Sequence, residues 1–185
     1  RLTNETDAVI EEHRLWNCRY VAIGGFNPKD EWTRQTWSNF AAEFSQVAGK
    51  LADAGLQLGY HNHSHELAPA DGVLPLQLLI DKCDPSVWFE IDTYWIAHGG
   101  GDPAAWIDKA NGRIPCVHFK DMTITRDRQQ KMCEIGDGNL NWPRIIESCR
   151  QAGVEWYLVE RDSGDLDPFE SLKISVENMR ERLGL

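Results

Sequence analysis

The stretch Leu56–Leu67, LQLGYHNHSHEL, joins a short apolar run to a cluster of histidines. Such a run, placed after a helical pattern that stops at Gly55, is typical of a strand in a buried parallel sheet. Because side chains alternate along a strand, His61 and His63 are expected on one face. Two imidazoles at a strand end suit a metal ion or a substrate, although hydrogen-bonded structural histidines are also common. The other strands have to decide between these interpretations.

Similar apolar runs occur further along the chain and again end in ionisable residues. The run WFEID ends at Asp92, CVHFKD contains His118, and YLVE ends at Glu160. Patterns of helical period separate the runs. The predicted strands cover 20–25, 56–67, 87–92, 114–121 and 156–162; the predicted helices cover 4–16, 30–54, 74–83, 103–110, 141–152 and 168–182; residues 123–131 are predicted as a polar, irregular segment.

Alternating strands and helices predict an α/β fold with a parallel sheet. The candidates His61, Asp92, His118 and Glu160 are 31, 26 and 42 residues apart, which fits roughly one β/α unit of a TIM barrel per step. An open nucleotide-binding sheet is the alternative, but it lacks support because neither GxGxxG nor GxxxxGK[ST] is present. We therefore expect a single (β/α) barrel domain over residues 1–185. It should hold about five of the eight units of a TIM barrel and be incomplete on its N-terminal side.

Composition narrows the class of protein. The net charge is −10, with 29 acidic residues against 19 lysines and arginines, which argues against a nucleic-acid partner. The sequence has no apolar stretch of membrane-spanning length and no leader pattern, so we expect no membrane association. Five scattered cysteines without a CxxC pair favour reduced thiols and a cytoplasmic location, with disulfides in a secreted protein as the alternative.

The strand-end residues suggest the chemistry. Parallel strands bring their carboxyl ends to one edge, so two imidazoles and two carboxylates are expected to meet there. This mixed nitrogen and oxygen set suits Mn²⁺, Co²⁺, Zn²⁺ or Mg²⁺, and the lack of cysteine argues against a structural zinc site. An open coordination position can polarise a substrate carbonyl.

Five motifs in order, YHNHSHEL, EIDTYW, VHFKDM, EIGDGNLNW and YLVERD, resemble the xylose-isomerase-like TIM barrel superfamily in its sugar phosphate isomerase/epimerase branch. The resemblance covers essentially the whole chain and implies a divalent metal at the strand ends. It assigns Asp92, His118 and Glu160 as ligands. At the first ligand, where tagatose-epimerase-like members have glutamate, this chain has His61, with His63 and Glu66 as reserves.

The resemblance implies an isomerase or epimerase of a small sugar or keto-sugar, phosphorylated or not. Glu160 is expected to abstract a proton next to a metal-bound carbonyl and so form an enediolate. With one well-placed base, isomerisation and dehydration gain over two-base epimerisation, and an inosose-dehydratase-like lyase is the runner-up. A non-catalytic carbohydrate-binding barrel remnant is a third hypothesis, and the negative charge disfavours an endonuclease-IV-like enzyme.

Other residues are weaker candidates. Lys120 shares a face with His118 and can neutralise an enediolate, bind phosphate or form a surface salt bridge. Trp95 can stack on a sugar or pack, and Glu134 can reach over the rim or remain a solvated turn residue. Asp162 is predicted to support Glu160 or to cap a helix, and His65 is predicted to lie in solvent. The predicted substrate contacts are therefore His63, Glu66, Trp95 and Glu134. Because family members carry three further N-terminal β/α units, exposed strand edges and a homo-oligomer are also expected.

Overall fold

The computed structural model describes residues 1–29 and 31–185. They form two compact units, Arg1–Glu90 and Ile91–Leu185. The predicted start of the second helix, Asp30, lies outside the described residues. Among these residues, no helix is both long enough and apolar enough to cross a membrane.

The first unit consists of strands followed by helices. Its elements are α1 (Thr6–Leu15), β1 (Tyr20–Ile23), α2 (Arg34–Asp53), β2 (Gln57–His61), α3 (Pro75–Lys82) and the first part of β3 (Trp88–Asp92), with a 3₁₀ turn at His65–Leu67. Strand β2 lies between β1 and β3, and both pairings are parallel.

Helix α2 supplies much of the apolar core of this unit. Thr33 caps its N-terminus by accepting the Thr36 N–H at 3.1 Å. Trp37, Phe44 and Leu51 are buried, seven residues apart, on the face that packs towards β2. Each such side chain contributes about 1.5–3 kcal/mol of hydrophobic stabilisation. The core therefore fixes β2 and the histidine segment that follows it.

Two predicted boundaries in the first unit are wrong. The strand predicted over 56–67 ends at His61, because the Glu66 carboxylate accepts the His63 N–H at 2.9 Å and turns the chain into the 3₁₀ segment. Asn4 does not cap the first helix, which begins at Thr6 after Glu5 without a side-chain cap.

The second unit contains the end of β3 and two more parallel strands. Its elements are α4 (Thr93–His98), α5 (Pro103–Lys109), β4 (Cys116–Phe119), β5 (Asp121–Ile124), β6 (Gln130–Cys133), α6 (Trp142–Ala152), β7 (Trp156–Val159) and α7 (Pro168–Asn178), which continues as a π-helical turn at Met179–Leu183. Strand β4 pairs with β3 on one side and β7 on the other. The parallel strands therefore follow one another in the order β1-β2-β3-β4-β7, which confirms the predicted parallel α/β class.

The segment predicted as irregular, residues 123–131, lies instead within an antiparallel hairpin. Strand β5 pairs with β6, and Arg128 turns the chain with a φ of 67°. The Arg128 N–H donates to the Thr125 carbonyl oxygen at 2.9 Å and closes the turn. The hairpin was missed because its strands are short and polar, which gives little hydrophobic pattern.

Candidate metal and substrate site

Asp92 lies at the end of β3, and its side chain is fully buried. Its Oδ1 accepts the Trp95 N–H at 2.9 Å, so Asp92 caps α4. Its Oδ2 lies 3.8 Å from Nδ1 of His118 and 3.1 Å from Nζ of Lys120. One carboxylate therefore serves the fold with one oxygen and the candidate site with the other.

His118 and Glu160 complete the acidic and imidazole set of this unit. His118 pairs in register with Asp92 on one side of β4, and Glu160 follows β7, its N–H bonded to the Phe119 carbonyl oxygen. Nδ1 of His118 lies 3.0 Å from Oε2 of Glu160. The structure thus brings together three of the four predicted ligands. Two carboxylates and one imidazole at this spacing fit a divalent cation such as Mn²⁺ or Zn²⁺.

Lys120 reaches the same carboxylates from β4. Its buried ammonium lies 2.7 Å from Glu160, 2.9 Å from Asp162 and 3.1 Å from Asp92. Burial by itself lowers the Lys120 pKa, but the charge of Asp92 and the bonds to the carboxylates outweigh it and raise the pKa to about 12. Lys120 is therefore a permanent cation inside the site, and the surface salt-bridge alternative is wrong because the side chain is buried.

Two neighbours of Lys120 were predicted as accessory residues. The Trp95 ring centroid lies 5.7 Å from Nζ of Lys120, within range of a cation–π contact. Asp162 binds Lys120 directly, whereas Asp167 caps α7. Asp162 thus fits its predicted supporting role, and the helix-cap alternative is wrong. Stacking of Trp95 on a sugar stays a prediction.

Glu134 is held inside the protein. It forms an ion pair with Arg161, whose guanidinium also donates to Oγ of Ser171 at 2.6 Å. The Glu134 side chain is only 12% exposed, so the alternative of a solvated turn residue is wrong. Its predicted contact with substrate stays a prediction.

A cavity of about 420 Å³ opens beside the end of β7. Glu160 and Asp162 contribute carboxylates to its wall, and Leu166 and Leu172 contribute apolar surface. This volume is within the range of small-molecule sites. The second unit therefore offers space for a small ligand next to Glu160.

Asp121 and Glu90 have roles that the sequence analysis missed. Oδ2 of the buried Asp121 accepts the N–H groups of Gly136 and Gly138 and the indole N–H of Trp142, and so fixes the glycine turn of the EIGDGNLNW motif. Glu90 lies on β3, and its Oε2 is 3.4 Å from Nδ1 of His61. The signal for Glu90 was its position two residues before Asp92, which places both side chains on one face.

In the first unit, the buried His61 ends β2 next to Glu90. Its role as the first metal ligand stays a prediction. Glu66 is fully buried and accepts the Tyr60 hydroxyl at 2.7 Å. Burial, followed by the Glu66 charge, raises the Tyr60 pKa well above its usual value, so the phenol keeps the proton that it donates. The substrate-binding roles of His63 and Glu66 also stay predictions.

Comparison with known proteins adds the family. A model described as xylose isomerase-like TIM barrel matches residues 6–182. The chain belongs to the xylose isomerase-like TIM barrel family. This confirms the predicted resemblance and, with the parallel strands, the TIM-barrel type of fold; that residues 1–185 form one domain stays a prediction.

The more similar relatives are distant. The chain is 24% identical to the rhizopine catabolism protein MocC of Rhizobium meliloti, over 78% of this chain and 49% of that protein. It is 23% identical to an inosose dehydratase of Lacticaseibacillus casei, over 78% and 54% of the two chains. It thus spans about half the length of these curated relatives. A sugar phosphate isomerase/epimerase from Parabacteroides distasonis shares the fold, with a TM-score of 0.76, 23% identity and coverage of 98% and 67%.

Proposed function

We propose that this chain is a divalent-metal-dependent isomerase or epimerase of a small sugar or keto-sugar. The observation that carries the proposal is the convergence of Asp92, His118 and Glu160 at the ends of three neighbouring parallel strands. The family membership supports the same class of chemistry. Whether the sugar is phosphorylated is left open by this site.

Asp92, His118 and Glu160 would hold the metal, with His61 as the further ligand predicted from the sequence. A bound Mn²⁺, Co²⁺, Zn²⁺ or Mg²⁺ supplies a Lewis acid that polarises a substrate carbonyl. Glu160 is the most exposed of the three carboxylates that contact Lys120, with 45% of its side chain accessible, against 43% for Asp162 and 0% for Asp92. Glu160 also follows the strand end, so it is the group best placed to remove a carbon-bound proton from a substrate.

Lys120 has an electrostatic part in this mechanism. Its raised pKa keeps the ammonium charged, so it stabilises negative charge on substrate oxygens and is a poor proton donor at neutral pH. Glu160 then both takes the proton and returns it to the neighbouring carbon. A single carboxylate base acting in this way favours isomerisation between adjacent carbons over two-base epimerisation.

Dehydration is the second candidate reaction. It begins with the same proton abstraction, but the charged intermediate loses a β-hydroxyl group before it is reprotonated. The similarity to inosose dehydratase favours this alternative. The two reactions differ in whether water is lost from the product.

Solvent isotope exchange tests the proposal. The Mn²⁺-loaded chain is incubated in deuterated water with keto-sugars and with an inosose, and carbon-bound deuterium is followed by NMR. We expect exchange for at least one compound, and a fall of about 10²–10⁴-fold in Glu160→Gln. Glu147→Gln, which changes an exposed glutamate on α6, is the matched control. The proposal fails if no compound exchanges or if Glu160→Gln exchanges as fast as the unmodified chain; loss of water from the product would select the dehydratase.

The wider setting is also part of the proposal. A small sugar is the expected partner, and the net charge of −10 argues against nucleic acid. The five cysteines are free thiols, which supports a cytoplasmic location. A homo-oligomer stays a prediction.

A further inference from the structure

A second cluster of ligand groups lies in the first unit, immediately after β2. His63, His65 and Glu66 each offer one ligand atom, and these atoms lie within 4.8 Å of one another. Nε2 of His65 is 3.3 Å from Oε1 of Glu66. The rings of His63 and His65 are stacked with centroids 5.8 Å apart. The cluster therefore presents two imidazoles and one carboxylate to a common space.

Gly25 keeps that space open. Its φ is +105°, a conformation that side chains other than hydrogen rarely allow. A β-carbon on Gly25 would lie 3.3 Å from Nδ1 of His63 and 3.5 Å from Oε1 of Glu66. Two of the ligand groups thus line the position where any other residue would place an atom.

The Glu66 carboxylate is already oriented for this role. The Tyr60 hydroxyl donates to its Oε1, and the His63 N–H donates to its Oε2. Carboxylates and imidazoles that bind metals are commonly held by such neighbouring bonds. Nε2 of His65 also lies 3.1 Å from the Phe26 carbonyl oxygen, so an ion there would replace that hydrogen bond and have a further oxygen donor nearby.

We propose that His63, His65 and Glu66 bind a divalent cation of the zinc type, without using Asp92, His118 or Glu160. Two imidazoles and one glutamate are a ligand set that zinc accepts with an open fourth position. Access is available, because the His65 side chain is 33% exposed. The ion would tie the Phe26 loop to the 3₁₀ turn.

Zinc titration of the 185-residue chain tests this site. We use the Asp92→Asn/Glu160→Gln variant, in which the other candidate site has lost two charged ligands, and measure zinc binding by calorimetry and elemental analysis. We expect about one zinc ion per chain to remain. Adding His65→Ala should weaken binding by more than the roughly 10–100-fold typical of a lost supporting contact. His98→Ala, which removes an exposed imidazole on the second unit, should leave binding unchanged.

A second measurement covers the case in which the combined variants fold poorly. In the otherwise unmodified chain, His65→Gln should remove one zinc ion while the circular dichroism spectrum is preserved, and Co²⁺ in that site should lose its visible absorption bands. The inference is overturned if zinc binding is the same with and without His65, or if the double variant binds no zinc while the unmodified chain does. Loss of zinc only on changing His65 would support this site even if the proposed function fails.

Discussion

The ammonium nitrogen of Lys120 lies 2.7 Å from Oε2 of Glu160. The same oxygen is 3.0 Å from Nδ1 of His118, so a lysine and a metal ion at this site would share a ligand. Lys120 also contacts Oδ2 of Asp92. The protein therefore carries an internal cation that neutralises the carboxylates when the metal is absent and lowers their affinity for it.

Removing this cation should strengthen metal binding. In Lys120→Met, two ligand oxygens lose a positive charge about 3 Å away, and we expect Mn²⁺ affinity to rise by about 10-fold or more. Isothermal titration calorimetry measures the change. Lys50→Met, at an exposed position on α2, is the control and should bind Mn²⁺ as the unmodified chain does. Unchanged or weaker binding in Lys120→Met would show that the lysine does not compete with the metal.

Gly59 marks a close approach within the first unit. It pairs in register with Trp88, and a β-carbon on Gly59 would lie 2.2 Å from Cε2 of the Trp88 ring. The Trp88 indole N–H is bonded to the Gln57 carbonyl oxygen at 2.9 Å, which holds the ring in place. We therefore expect Gly59→Ala to cost about 1–3 kcal/mol of unfolding free energy, measured by urea denaturation.

The control for this substitution is another glycine in the same unit. Gly49 lies within α2, and a β-carbon there meets no atom within 4 Å. Gly49→Ala should stabilise the protein by about 0.5–1 kcal/mol, because alanine loses less backbone entropy in a helix. Similar urea midpoints for the two variants would contradict the steric account of Gly59.

The five thiols should differ in reactivity. Burial raises the pKa of Cys149 to about 12, and burial followed by nearby carboxylates raises that of Cys133 to about 12. Both therefore remain protonated at pH 8, where only the thiolate form reacts. Cys18 is exposed.

We expect a disulfide reagent at pH 8 to modify one thiol rapidly in the folded chain and all five after denaturation. Cys18→Ser should abolish the fast phase. Rapid modification of Cys149, detected by peptide mass spectrometry, would be inconsistent with its burial.

The meeting of Asp92, His118 and Glu160 could be predicted from the sequence for a topological reason. Each residue ends an apolar run, and the carboxyl ends of parallel strands meet at one edge. The pattern needs only local information about each strand. For the same reason the α/β class could be predicted without any long-range contact.

Other features depend on contacts that a local pattern does not encode. Whether Lys120 lies on the surface or among carboxylates depends on Asp92 and Asp162, which come from other strands. The end of β2 at His61 depends on the side chain of Glu66, which bends the chain back. The hairpin of β5 and β6 lacks an apolar face pattern and so gave no strand signal.

Metal content tests the central claim most directly. The chain is purified without chelator, loaded with Mn²⁺, and compared with Asp92→Asn/Glu160→Gln by elemental mass spectrometry. Asparagine is chosen because its side-chain oxygen can still cap α4 as Asp92 does. We predict that the double variant loses about one Mn²⁺ per chain while its circular dichroism spectrum is preserved. Equal Mn²⁺ content in the folded double variant and the unmodified chain would contradict a metal site built on Asp92 and Glu160.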